Sequence, residues 1–161
     1  MRTLFTAVRS LTYAAGFVFL WSWLGWRLRP FDRYMGSLPE WMWPAGMLLM
    51  IVGGTLALMC FSAFIIHGQG TTAPFDAPRV FVAVGPYRYT RNPMYIGAIS
   101  VLMGVGLYVG SAPILALALA FWGVAHLFVV FYEEPVLNRK FDGIYSDYCR
   151  RVFRWLPHSS S

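Results

Sequence analysis

Charge is what this sequence has least of. Asp, Glu, Lys and Arg supply 12% of its 161 residues, roughly half the share found in an ordinary soluble domain. Acidic residues are the scarcer sign, 7 against 13 Lys and Arg. Set beside a hydrophobic content of 58%, this excludes a disordered chain and gives no footing for nucleic acid as a partner. Cysteine is almost missing: Cys60 lies in an apolar run and Cys149 in a charged tail, so no disulfide framework is implied. The three histidines, His67, His126 and His158, lack metal-ligand spacing, and no metal site is expected.

What fills the space is apolar. Mean hydropathy is +0.54, and aromatics reach 18% with seven Trp, a composition suited to the interfacial belts of a membrane protein. Leu11 to Trp26 is 16 residues without a charge, Trp41 to Ile66 is 26, and Met94 to Tyr132 is 39. Trp21, Trp23 and Trp26 stand where a leader peptide would need small residues for cleavage, so the first run reads as a retained anchor. The third run would make a helix about 58 Å long, nearly twice the hydrocarbon core. It must fold back, and Gly110-Ser111-Ala112-Pro113 marks the break.

The expectation is therefore an all-α integral membrane protein, one domain over 1–161. Four spans lie at about 11–26, 41–66, 94–109 and 113–132, with a hairpin between the last two. Ten cations (Arg2, Arg9, Arg79, Arg88, Arg91, Arg139, Lys140, Arg150, Arg151 and Arg154) then share a side with both termini and the 67–93 loop. Only Arg27, Arg29 and Arg33 face the other side. That bias places the termini in the cytoplasm, and the brevity of the chain suggests a bacterial inner membrane. Residues 133–161 read as a cytoplasmic segment whose amphipathic helix carries Leu137, Phe141, Ile144, Tyr145, Tyr148 and Val152 on one stripe.

Two clusters carry chemistry. Gly85-Pro-Tyr-Arg-Tyr-Thr-Arg-Asn-Pro-Met-Tyr-Ile-Gly97 holds Asn92 and Pro93, a natural cap and first residue for the third helix. Its Arg88 and Arg91 beside a helix start also suit a carboxylate or phosphate. Glu133-Glu134 closes the fourth helix at the end that disfavours negative charge. Either the pair is offset by Arg88, Arg91 or Arg139, or a carboxylate there meets the cationic part of a ligand. Both clusters fall at the same end of consecutive helices, so they can line one pocket, one suited to a zwitterion. Gly104, Gly106 and Gly110 lie in a span with no preceding strand; Gly106 and Gly110 read as a helix-packing face and leave a homo-oligomer possible.

These two clusters in this order, followed by Tyr145, Tyr148 and Arg154-Trp-Leu-Pro157, resemble the isoprenylcysteine carboxyl methyltransferase and phospholipid N-methyltransferase superfamily of integral-membrane enzymes. The resemblance covers about residues 68–157. It implies methyl transfer from S-adenosylmethionine, leaving S-adenosylhomocysteine, to a lipophilic small molecule or lipid amine, thiol or carboxylate among the membrane lipids. Carried over by position, Arg79, Val80, Phe81 and Val82 contact the cofactor from the loop. Tyr87, Arg88, Asn92, Pro93, Met94 and Tyr95 form its main wall, and Glu133 is the acidic contact. Glu133, Glu134 and Arg91 are the catalytic candidates, either carboxylate serving as base toward an amine. The chain departs from the pattern at Asn92, where His is frequent, and at Asp142, where Gly usually follows Phe. It departs again at Phe153, in place of Pro, and at Val129, where the isoprenylcysteine enzymes carry Arg. A non-catalytic four-helix scaffold or degenerate methyltransferase is the competing reading. A proton-coupled transporter is disfavoured, because the three long spans contain no ionisable acid or base of the kind coupling requires.

Overall fold

The computed structural model describes residues 2–64, 66 and 81–156, and these are helical with no strand. The first helix, α1 (Arg2–Leu28), starts well before the apolar run that predicts it. A short turn of helix, α2 (Asp32–Met35), leads through Pro39 into α3 (Trp43–Ala63). After the loop come α4 (Pro93–Tyr108), α5 (Ala112–Phe128) and α6 (Glu134–Arg151).

The seam between α3 and α4 is built on missing side chains. A Cβ on Gly53 would sit 2.6 Å from the Gly97 carbonyl, and one on Gly104 would sit 2.6 Å from the Gly46 carbonyl. Gly46 and Gly53 are seven residues apart, as are Gly97 and Gly104, so each helix presents the same small face two turns on. Small faces let backbones approach and gain dispersion contact in a setting where lipid removes the hydrophobic drive. The α3 seam thus uses Gly97 and Gly104 of α4, while of the expected pair Gly106 packs on α5. Gly106 instead makes room for Leu115 of α5, and Gly110 turns the chain with φ +67.

That turn is the predicted break. Gly110 takes a backbone conformation that Cβ-bearing residues disfavour, Ser111 is extended, and Pro113 falls in the first turn of α5. Ser111 is fully buried, and its hydroxyl donates to Asp32 at 2.6 Å while Leu38 N–H donates to the Gly110 carbonyl at 3.0 Å. At mid-depth Trp21 of α1 packs on Phe121 of α5, ring centroids 4.5 Å apart.

One expectation changes here. Among the described residues, two helices are long and apolar enough to cross a membrane by length and composition, Glu40–Ala63 and Ala112–Arg151, not four. α4 is apolar but has 16 residues, about 24 Å against a core of about 30 Å. The C-terminal amphipathic helix is also joined directly to the last span. It continues α5 through one π-helical turn, Val129–Glu133. Pro135 has no N–H for the carbonyl one turn back, and the helix widens just ahead of it.

Within α6 the backbone breaks at Asp142 (φ 34, ψ −122). The break rotates the second half, so Tyr145, Tyr148 and Val152 are buried with Phe81, Leu137 and Phe141 against them. Ile144, expected on that stripe, is 63% exposed.

Candidate functional site

The start of α4, the end of α5, the segment at Phe81 and Val82, and α6 enclose a cavity of about 60 Å³. Phe81, Val82, Tyr87, Arg91 and Asn92 line it from one side, and Val129, Glu133, Glu134, Tyr145 and Tyr148 from the other. The two sequence clusters therefore meet, as their placement on consecutive helices requires.

Why the α4 start is shaped this way follows from its neighbours. Gly85 turns the chain with φ +58 into a short 3₁₀ segment that buries Pro86 and Tyr87. Pro93 then opens α4 as expected. Asn92 does not cap it with its side chain; its Nδ2 donates instead to the Arg154 carbonyl at 3.1 Å. The Thr90 hydroxyl donates to the same carbonyl at 3.0 Å, and Arg91 N–H donates to the Phe153 carbonyl at 2.9 Å. Residues 153 and 154 are thus strapped across the α4 start. Trp155 extends the strap by donating its indole N–H to His126 Nδ1 at 3.0 Å, which marks that nitrogen as unprotonated.

The two glutamates separate sharply. Glu134 receives a two-bonded fork from Arg154, Nε and a terminal nitrogen both at 2.8 Å, and a further bond from Arg91 at 2.9 Å. Burial of its carboxylate is compensated twice over. Glu133 has no ion pair among the described residues; the Tyr95 hydroxyl donates to it at 3.1 Å. The apolar part of the preceding helix closes at Tyr132, so Glu133 stands just beyond it. Burial pushes its carboxyl up to about 7, the Tyr95 bond pulling back down and neighbouring Glu134 adding to the rise. Burial likewise holds the Tyr87 and Tyr148 phenols above their ordinary range. Tyr148 donates to the Tyr87 carbonyl at 2.6 Å, tying α6 to the 3₁₀ turn.

Arg91 is the remaining polar group. One terminal nitrogen serves both Glu134 and Cys149 Sγ, each at 2.9 Å. Its Nε is buried with no partner. Unsatisfied buried donors are rare, and this one faces the cavity that Arg91 lines.

A family model for phospholipid methyltransferases matches residues 41–143, more than half of the chain. The chain belongs to the phospholipid methyltransferase family. Methyltransferases of this family act on lipids and use S-adenosylmethionine. The match runs from α3 into α6 and takes in both clusters, though not the Arg154 strap. No curated protein and no solved structure matches the chain.

Of the residues that the resemblance brings forward, Phe81, Val82, Tyr87, Arg91, Asn92, Glu133 and Glu134 line the cavity. Tyr95 reaches it through Glu133. Pro93 is fully buried in the turn, and Met94 packs against the cluster of Cys60, Ala63, Val82 and Tyr87. Arg88 is exposed and points to a different groove. Arg79 and Val80 lie outside the described residues, as does His67. Among the described residues no group of three metal ligands occurs, and Cys60 and Cys149 are free thiols. Sequence reasoning missed Arg154 as the main partner of Glu134 and missed Tyr145 and Tyr148 as cavity walls. The two tyrosines were readable from the α6 stripe; Arg154 looked like one cation among ten.

Proposed function

We propose that this chain, as one membrane domain with cytoplasmic termini, transfers a methyl group from S-adenosylmethionine to a lipophilic amine of the bacterial inner membrane. The observation that carries the reading is Glu133: a buried carboxylate without a cation, in the same cavity as an arginine N–H without an acceptor. A zwitterionic amino-acid group satisfies both at once. Its ammonium goes to Glu133 and its carboxylate to Arg91 Nε and the uncapped start of α4. The rings of Phe81, Tyr87 and Tyr148 offer faces for a flat base and for a cation.

The donor set fits S-adenosylmethionine in kind. In volume, about 60 Å³ is well below the roughly 300–1,000 Å³ of a ligand pocket, so the cavity must widen to admit the whole cofactor. When bound, the cofactor supplies a methyl group already activated on a sulfonium. The protein then has three tasks. Asn92 and Thr90 hold the strap over the α4 start, and the aromatic walls exclude water. Glu133, oriented by Tyr95, holds the cofactor's ammonium, and an ammonium acceptor gives up its proton to water before it enters the site and its lone pair attacks. Glu134 is fixed between Arg91 and Arg154, so neither carboxylate is free to act as a base. Positioning accounts for the rest.

Calorimetric titration of S-adenosylmethionine and S-adenosylhomocysteine into the purified protein in lipid tests this. Saturable binding is expected, absent in Glu133→Gln. Because the carboxyl titrates at about 7 and only its ionised form attracts a cation, binding strengthens as pH rises from 6 to 8. A pH-independent affinity, or one unchanged by Glu133→Gln, removes Glu133 from the role. The small cavity favours one rival, a scaffold that has kept the fold without the cofactor. No binding by folded wild type would select it.

A further inference from the structure

Arg88 and Tyr89, which the methyl-transfer cavity does not use, project on the other side of the 3₁₀ turn. Together with Gly85, Pro86 and the α3 residues Leu56 and Met59 they line an open groove of about 400 Å³. Its two ends differ in chemistry. At the loop end, Arg88 is exposed and has no hydrogen bond or ion pair among the described residues, and Tyr89 is 56% exposed. At the helix end, Leu56 is half-buried and Met59 is 52% exposed. Leu56 lies about 10 Å along the helix from Ala63, the last residue of α3. A cation and a phenol at the boundary above a strip of apolar side chains match the phosphate and upper acyl chain of a membrane lipid.

Among the described residues the lining contains no Asp or Glu. A zwitterionic head group would find a partner for its phosphate and none for its ammonium. We propose that this groove is a binding site for an anionic glycerophospholipid, with the phosphate on Arg88 and an acyl chain along Leu56 and Met59. It is separate from the acceptor: Pro86 and Tyr87, both buried, stand between it and the cavity of Glu133. The site rests on the membrane reading of α3 and not on methyl transfer, so either can fail alone.

The test is lipid retention measured by native mass spectrometry after extraction from nanodiscs of equal phosphatidylglycerol and phosphatidylethanolamine. Wild type is expected to retain phosphatidylglycerol in preference. Arg88→Gln should lower that preference about fivefold, the contribution of one basic residue near an anionic surface. Arg139→Gln, which removes an exposed cation outside the groove, should leave it unchanged. Met59→Ser should weaken retention through the acyl end while leaving the fold intact, as circular dichroism would verify. Equal retention of the two lipids by wild type, or equal losses in Arg88→Gln and Arg139→Gln, overturns the proposal.

Discussion

The two ends of α4 solve opposite problems. Along its length the helix meets α3 through Gly97 and Gly104, backbone against backbone, with no polar group to satisfy. At its start, four successive residues, Thr90 to Pro93, are packed into a polar enclosure in which nearly every donor has a named acceptor. The seam depends on the absence of atoms. The enclosure depends on which charges remain uncompensated. A seam of that kind tolerates no addition, whereas the enclosure tolerates isosteric change except where a charge is balanced.

The sharpest way to break the contrast is to fill the seam. Gly53→Val places a branched side chain where a Cβ already meets a backbone carbonyl at 2.6 Å. Backbone cannot give as a side-chain tip can, so the loss should reach about 3 kcal/mol or more, read as a collapsed melting temperature in detergent. A melt like that of wild type would mean that the helices separate easily and the seam is not a constraint.

Next in size is the pair of glutamates. Glu134→Gln leaves Arg91 and Arg154 without their shared counter-charge, and should destabilise the fold by about 3 kcal/mol. Glu133→Gln removes a buried charge that no cation balances, and should change stability by less than about 1 kcal/mol. The two variants therefore exchange their effects: one loses stability, the other loses cofactor binding. Chemical denaturation of both, read beside calorimetry, would expose a shared effect if the two carboxylates had a common role.

The smallest effect sharpens the comparison within α6. Asp142 adopts φ 34 and ψ −122, a region that glycine enters without a Cβ penalty. Asp142→Gly should raise stability by about 1 kcal/mol, and a loss instead would show that the Asp side chain supports the kink.

How much of this was legible in the letters depends on the range of the interaction. The hairpin at Gly110–Pro113 was readable because Gly and Pro act locally on φ. Pro93 as the first residue of α4 was readable for the same reason. The Gly46/Gly53 and Gly97/Gly104 match was not, because it appears only when two helices are set side by side. Asn92 carried the local signature of a cap, yet its side chain is drawn off by a carbonyl 62 positions away. The convergence of the clusters on one cavity followed from counting helices. The split between Glu133 and Glu134 did not, since neighbours in sequence on one helix can face different partners.

The grip on residues 153 and 154 acts on the main chain. Arg91 N–H, Thr90 and Asn92 hold residues 153 and 154 by their main-chain carbonyls, an atom that every amino acid possesses. The latch reads the shape of the backbone and is blind to spelling. A closure held by carbonyls leaves no mark in the letters of residues 153 and 154, so the sequence alone understates how firmly the chain is fastened here.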